Sequence, residues 1–217
     1  MPVPAFVRRA AAPLIYRRPV SGLQPARLYL YLDALFARRG MRGPVIEIGC
    51  HLCGTAAIAA RFLRQIGSTR EYVCIDTFGG FVDAHAGADQ AIGMRPSNRA
   101  MFRGNSLTLA SSLVRRYGAA DIIQLRQADI SEVEPSSLPA EISVCLIDVD
   151  LKRPVFDALE AVCDRVAPGG IVLVDDCPEN TSWVGARAGY SEWVRSRGLP
   201  EVYRYGFGVV EKAPAPG

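Results

Sequence analysis

Apolar positions along this chain fall into two periods. Short, mostly apolar runs at residues 45–48, 71–75, 122–125, 142–147 and 171–174 have the length and β-branched content of strands covered on both faces. Between them, apolar residues recur every three to four positions, which predicts helices over 25–39, 55–66, 98–117, 153–166 and 183–197. Gly40 and Gly118 close two of these helices, and Pro168-Gly169-Gly170 stops a third. Residues 79–96, rich in Gly, Ala and Asp, are expected to form a loop long enough to act as a substrate lid. Residues 202–205 and 207–210, joined at Gly206, read as a closing antiparallel pair. Repeated strand-helix units imply an α/β fold with a mostly parallel sheet and right-handed crossovers. Residues 1–40 are read as an N-terminal arm with its helix, and 41–217 as one domain.

Composition narrows the partners. The chain has 217 residues, 49% of them hydrophobic, enough for one sizeable core. A net charge of +3 is too small to imply nucleic-acid binding without a dense basic patch. The basic bias is local: Met1 to Leu32 contains no acid, while Arg8, Arg9, Arg17, Arg18 and Arg27 are all present. A transit peptide, a membrane-surface helix or an arm over the active site would each account for this, and Pro2, Pro4, Pro13, Pro19 and Pro25, which break the segment into short pieces, favour the packed arm. No apolar run reaches membrane-spanning length and no signal-peptide pattern is evident, so the expected location is the cytoplasm. Six cysteines include one C-x-x-C pair, Cys50 and Cys53. Without a second pair, reduced cysteines in a reducing compartment are favoured over a redox or zinc site.

The strand at 45–48 runs through Gly49 into Gly54, Thr55 and an alanine-rich helix start, a strand-turn-helix that suits a bound ligand. A phosphate-binding loop would need Lys followed by Ser or Thr after its second glycine, and Thr55-Ala56 stand there instead. A dinucleotide fingerprint is interrupted by Cys50-His51. Glu47, just ahead of the turn, argues further against an anion and suits a cationic or hydroxyl-rich ligand.

Carboxylates recur where such sheets bind ligands, beyond the carboxyl ends of the strands. Asp76 ends the second strand, Asp129 follows the third, Asp148 ends the fourth and Asp175-Asp176 end the fifth. Asp76 lies 27 residues past Gly49, close to the offset of about 20 at which an acid grips ribose hydroxyls. Asp129 suits a helix cap before Ser131 as well as a ligand contact at this edge. Asp148, Asp175 and Asp176 should converge, and three such carboxylates call for a proton or a cation; all-oxygen donors open to water suit Mg2+.

The turn resembles the first motif of class I S-adenosylmethionine-dependent methyltransferases. Together with Asp76-Thr77-Phe78-Gly79-Gly80-Phe81, Ile147-Asp148-Val149-Asp150-Leu151, Ala167-Pro168-Gly169-Gly170 and Val174-Asp175-Asp176, it resembles the macrocin O-methyltransferase family, metal-dependent enzymes that methylate sugar hydroxyls of natural products. That resemblance implies a Rossmann-like seven-stranded sheet and a homo-oligomer. It implies S-adenosylmethionine held around Glu47, Gly49, Gly54, Thr55, Asp76, Thr77, Phe78 and Asp129, and Mg2+ on Asp148, Asp175 and Asp176. Two positions depart from the family: Lys152 stands where a tyrosine is usual, and Cys177 follows the aspartate pair in place of tyrosine.

The expected activity is Mg2+-dependent methyl transfer to a hydroxyl of a small molecule, a sugar or natural-product diol. A cephalosporin-hydroxylase-like enzyme of the same fold and a non-catalytic S-adenosylmethionine-binding module are the alternatives. Candidate catalytic groups are Asp148 through its metal, Lys152 four residues beyond it, and His85 in the expected lid. Trp183, Tyr190 and Trp193 are candidate pocket walls or, at helical spacing, core.

Overall fold

The computed structural model describes residues 18–178 and 183–215. The arginines and prolines before residue 18, on which much of the basic-arm reading rests, lie outside the described residues.

Seven strands form one sheet: β1 (Val45–Ile48), β2 (Tyr72–Asp76), β3 (Ile123–Gln127), β4 (Ile142–Ile147), β5 (Val166–Val174), β6 (Tyr203–Arg204) and β7 (Phe207–Glu211). Their order is β3-β2-β1-β4-β5-β7-β6; the first five run parallel and β7 pairs antiparallel with both β5 and β6. Chain order reverses at β1, between β2 and β4, the place where an open sheet of this kind leaves a crevice beyond its strand ends. Every residue of β1 and β4 is buried, which explains why all but Glu47 and Ser143 are apolar. Alternate residues feed opposite layers. Val45, Val144, Leu146 and Leu173 pack under α1 (Pro25–Ala37), α2 (Gly54–Gln65) and α4 (Leu107–Arg116). Ile46, Ile48, Cys145, Ile147 and Val172 pack under α5 (Lys152–Val162) and α6 (Val184–Ser196). A further helix, α3 (Asp83–Ala91), sits near the mouth of the crevice. Among the described residues, no helix is long and apolar enough to cross a membrane.

Three expectations are corrected. The loop expected over 79–96 contains α3, whose Ala86 packs with Met94 and Leu151. The long helix expected over 98–117 is instead a short 3-10 turn, Pro96–Ala100, and then α4, because Ser106 caps α4 by accepting a hydrogen bond from Leu109 N at 3.1 Å. The helix expected over 153–166 ends at Val162, and β5 starts at Val166, before the Pro-Gly-Gly segment rather than after it. Pairing with the C-terminal segment carries the strand through that segment, with Gly169 N bonded to Lys212 O at 3.1 Å.

Candidate active site

The β1–α2 turn owes its shape to its glycines. Gly49 has φ +88°, and a Cβ there would lie 2.0 Å from the Asp148 carbonyl oxygen. A Cβ on Gly54 would lie 1.9 Å from Val20 O, because the segment before α1 crosses the start of α2. Ser21 Oγ meets Thr55 Oγ1 there at 2.8 Å. Asp76 ties this turn to the end of β2: one oxygen accepts from His51 N at 2.8 Å and the other from Phe78 N at 2.6 Å. Each oxygen keeps a second lone pair for a ligand. Five non-glycine residues at this edge adopt left-handed backbone: His51, Cys53, Phe78, Asp150 and Asp176. Strain of this kind gathers where side chains must be aimed.

The edge encloses a cavity of about 560 Å³, within the range of small-molecule sites. Glu47, Gly49, Gly54, Thr55, Asp76 and Thr77 line it, and so do Asp148, Asp150, Asp175, Asp176, His85 and Asp129. Glu47 is 1% exposed and accepts a hydrogen bond from the Tyr72 hydroxyl, which is 2.7 Å from that of Tyr31. Burial pushes the Glu47 carboxyl up to about 8, against the lowering effect of Tyr72. A cation beside it would favour the charged form. Phe78 does not line the cavity; its ring is core and its backbone N–H serves Asp76. Asp129 accepts from Ser131 N at 3.0 Å and lies 3.3 Å from His85 Nε2, so it caps and also faces the cavity.

Four aspartates crowd together at this edge. Burial, and then the charges of Asp175, Asp150 and Asp176, push Asp148 well above the usual carboxylate range. Burial and then Asp176 do the same to Asp150. Asp175 is raised to about 6 by burial and Asp176, with Arg27 pulling the other way. Arg27 comes from α1: its Nη1 donates to Asp175 Oδ1 and to Asp176 Oδ1, the latter at 2.8 Å, and the residue is buried. Burial opposes its charge, but the two carboxylates more than compensate and raise its pKa.

Lys152 is not brought to this cluster. Its ammonium pairs with Glu192 on α6 at 2.6 Å, half-exposed and away from the cavity, while its backbone N–H donates to Asp89 at 3.0 Å. Trp183 does face the cavity, joined by Phe81 and Phe102 in an aromatic wall with centroids 5.3 to 6.2 Å apart. Tyr190 and Trp193 are core. Sequence reasoning missed the placement of Arg27, the part played by Asp150, and the Phe81/Phe102 wall. A signal existed for Arg27: it shares the buried face of α1 with Tyr31, Ala34 and Leu35, an unusual place for an arginine.

A profile describing a methyltransferase domain matches residues 46–177, from β1 through the aspartate pair. The chain belongs to this methyltransferase domain family. A relative from Streptomyces olivaceus, an 8-demethyl-8-(2,3-dimethoxy-alpha-L-rhamnosyl)-tetracenomycin-C 4'-O-methyltransferase, is 27% identical over 143 residues, 63% of this chain and 54% of the relative. The chain therefore spans about half the length of the curated relative it matches. Among solved structures, the O-methyltransferase NovP superposes with TM-score 0.71 at 16% identity, over 86% of this chain and 78% of its own. The calicheamicin methyltransferase CalS11 superposes with TM-score 0.70 at 20% identity, over 97% and 86%. These likenesses establish the class I methyltransferase fold.

For this methyltransferase domain, S-adenosylmethionine fits the lined cavity: Glu47 suits its positive charges and Asp76 its ribose hydroxyls. A divalent cation also fits the donor chemistry, since four carboxylates face one guanidinium and the excess charge is negative. The aspartates are not yet gathered around a point. Among the described residues, no aspartate trio brings one oxygen each within 4.8 Å of the others, and Arg27 stands on two of them.

Proposed function

We propose that the chain is an O-methyltransferase that moves the methyl group of S-adenosylmethionine to a hydroxyl of a small hydroxylated molecule, a sugar or natural-product diol. The observation that carries this reading is that one cavity is lined both by Glu47, Gly49 and Asp76 and by Asp148, Asp150, Asp175 and Asp176. The acceptor oxygen would attack the methyl carbon in line, the sulfur–carbon bond would break with its electron pair passing to sulfur, and the hydroxyl proton would pass to a carboxylate. Asp150, which lines the same cavity and is not one of the proposed metal ligands, is the acceptor for that proton in its ionised form. The chain's main task is alignment. Glu47 holds the cationic end of the cofactor, Asp76 the ribose, Asp129 and His85 the adenine side, and Trp183 with Phe81 excludes water from the acceptor.

Mg2+ belongs to this proposal, with Asp148, Asp175 and Asp176 as its ligands. When bound it would lower the acceptor hydroxyl pKa and help orient a diol. Calorimetry with S-adenosylmethionine, with and without Mg2+, tests both parts. Saturable binding of the cofactor supports the reading, and no binding under either condition removes it. If turnover of a sugar-bearing acceptor survives EDTA, the methyltransferase reading stands and the metal is dropped.

A further inference from the structure

The reaction leaves one cluster of reactive side chains unused. Cys50 and Cys53 come from the β1–α2 turn and Cys74 from the middle of β2, and all three are free thiols. One sulfur from each lies within 4.8 Å of the other two, and the Cys50 and Cys53 sulfurs are 3.7 Å apart. We propose that this trio is a binding site for a single thiophilic cation of low coordination number, of which Cu(I) is the type.

The geometry suits such an ion without rearrangement of the fold. Three thiolates at about 2.3 Å from a common centre stand about 4 Å from one another in a trigonal arrangement. Sulfur ligands select soft ions over Mg2+ or Ca2+. The trio, rather than a quartet, sets the coordination number: among the described residues the gathered group consists of three sulfurs, whereas zinc in structural sites takes four ligands. Cys53 and Cys74 are fully buried, so water is excluded, while Cys50 lines the cavity and provides the entry path. Cys53 also occupies the N-cap of α2 in left-handed backbone, a conformation held by the turn itself.

The cation would share its turn with the cofactor site. Cys50 and Cys53 bracket His51, whose N–H holds Asp76, so an ion on the sulfurs would fix the segment that positions the ribose carboxylate. The cysteine site does not depend on the methyl-transfer reading, since its probe is the metal alone.

The test is an anaerobic titration of the reduced full chain with Cu(I) supplied as its bicinchoninate complex. The expected result is withdrawal of one equivalent from the chelator with growth of ultraviolet thiolate-to-copper absorption. Cys50→Ser and Cys74→Ser should each weaken the withdrawal by about 100-fold or more, and Cys163→Ser, remote from the trio, should leave it unchanged. Cys50→Ser is the gentler variant because Cys50 reaches the cavity wall; circular dichroism reports whether each variant is folded. No copper withdrawn by the folded wild type would overturn the proposal, as would a folded Cys50→Ser variant that withdraws copper like the wild type.

Discussion

Replacing Arg27 with methionine keeps an apolar stem on α1 and deletes the guanidinium that bridges Asp175 and Asp176. Arg27 and Asp175 are 6% and 5% exposed, so the change strands a carboxylate that water hardly reaches. Removing one partner of a buried pair costs about 3–5 kcal/mol, a large part of the 5–15 kcal/mol that holds a typical domain together. The sign of the pH dependence follows from Asp175. Its folded pKa, about 6, already lies above the ordinary 3.8, so its neutral form is the one the fold favours. Stability from that group is present at low pH and is lost as pH rises through about 6, and without Arg27 the midpoint moves higher still. Urea unfolding followed by circular dichroism should therefore show a loss of about 3–5 kcal/mol for Arg27→Met at pH 8 and a clearly smaller one at pH 5. Millimolar Mg2+ should raise the midpoint of the variant more than that of the wild type, because a cation then replaces the missing charge. A loss under about 1 kcal/mol at pH 8, or an equal loss at both pH values, would refute the reasoning.

Glu47→Gln should flatten the pH dependence of stability. In the wild type the Glu47 pKa rises from 4.5 unfolded to about 8 folded, so stability drains between those values at up to about 1.4 kcal/mol per pH unit, and the difference between the two urea series reads this directly. The same substitution should weaken S-adenosylmethionine binding at least about tenfold by calorimetry, through loss of the group that faces its positive charge. Gly49→Ala should cost about 2 kcal/mol or more, with loss of cofactor binding, since its Cβ would meet the Asp148 carbonyl at 2.0 Å in left-handed backbone; an unchanged thermal midpoint would contradict that. Lys152→Ala should leave turnover within about twofold, because its ammonium is engaged with Glu192, and a loss beyond tenfold would restore it as a base.

The parallel strands were legible because burial on both sides leaves no choice of residue: every position of β1 and β4 is apolar except Glu47 and Ser143, and both of those are hydrogen-bonded. The carboxylates at the strand ends were legible for the same topological reason. Helix α3 was not, since its sequence carries mainly alanine, aspartate and glycine and takes its apolar support from Met94 and Leu151, outside its own span. Passage of β5 through Pro168-Gly169-Gly170 depends on a partner strand some forty residues later, which no local window contains. Arg27 read as one more charge of a basic arm because its partners lie 148 and 149 residues away. Lys152 shows the converse: proximity to Asp148 in sequence, with the side chain drawn to another helix.

On α1, Arg27 reaches two aspartates of the cavity, and one turn later Tyr31 reaches Tyr72 and through it Glu47. Neither residue lies within the span 46–177 by which the family is recognised, and Trp183 falls outside it as well. A fragment excised at those limits would keep five parallel strands and lose the α1 residues that brace the crevice's carboxylates, along with the β6–β7 edge that pairs with β5. The segment that marks this chain's ancestry is thus smaller than the segment that can work, and grafts or chimeras that aim to exchange acceptor preference must carry the helix ahead of β1 with them.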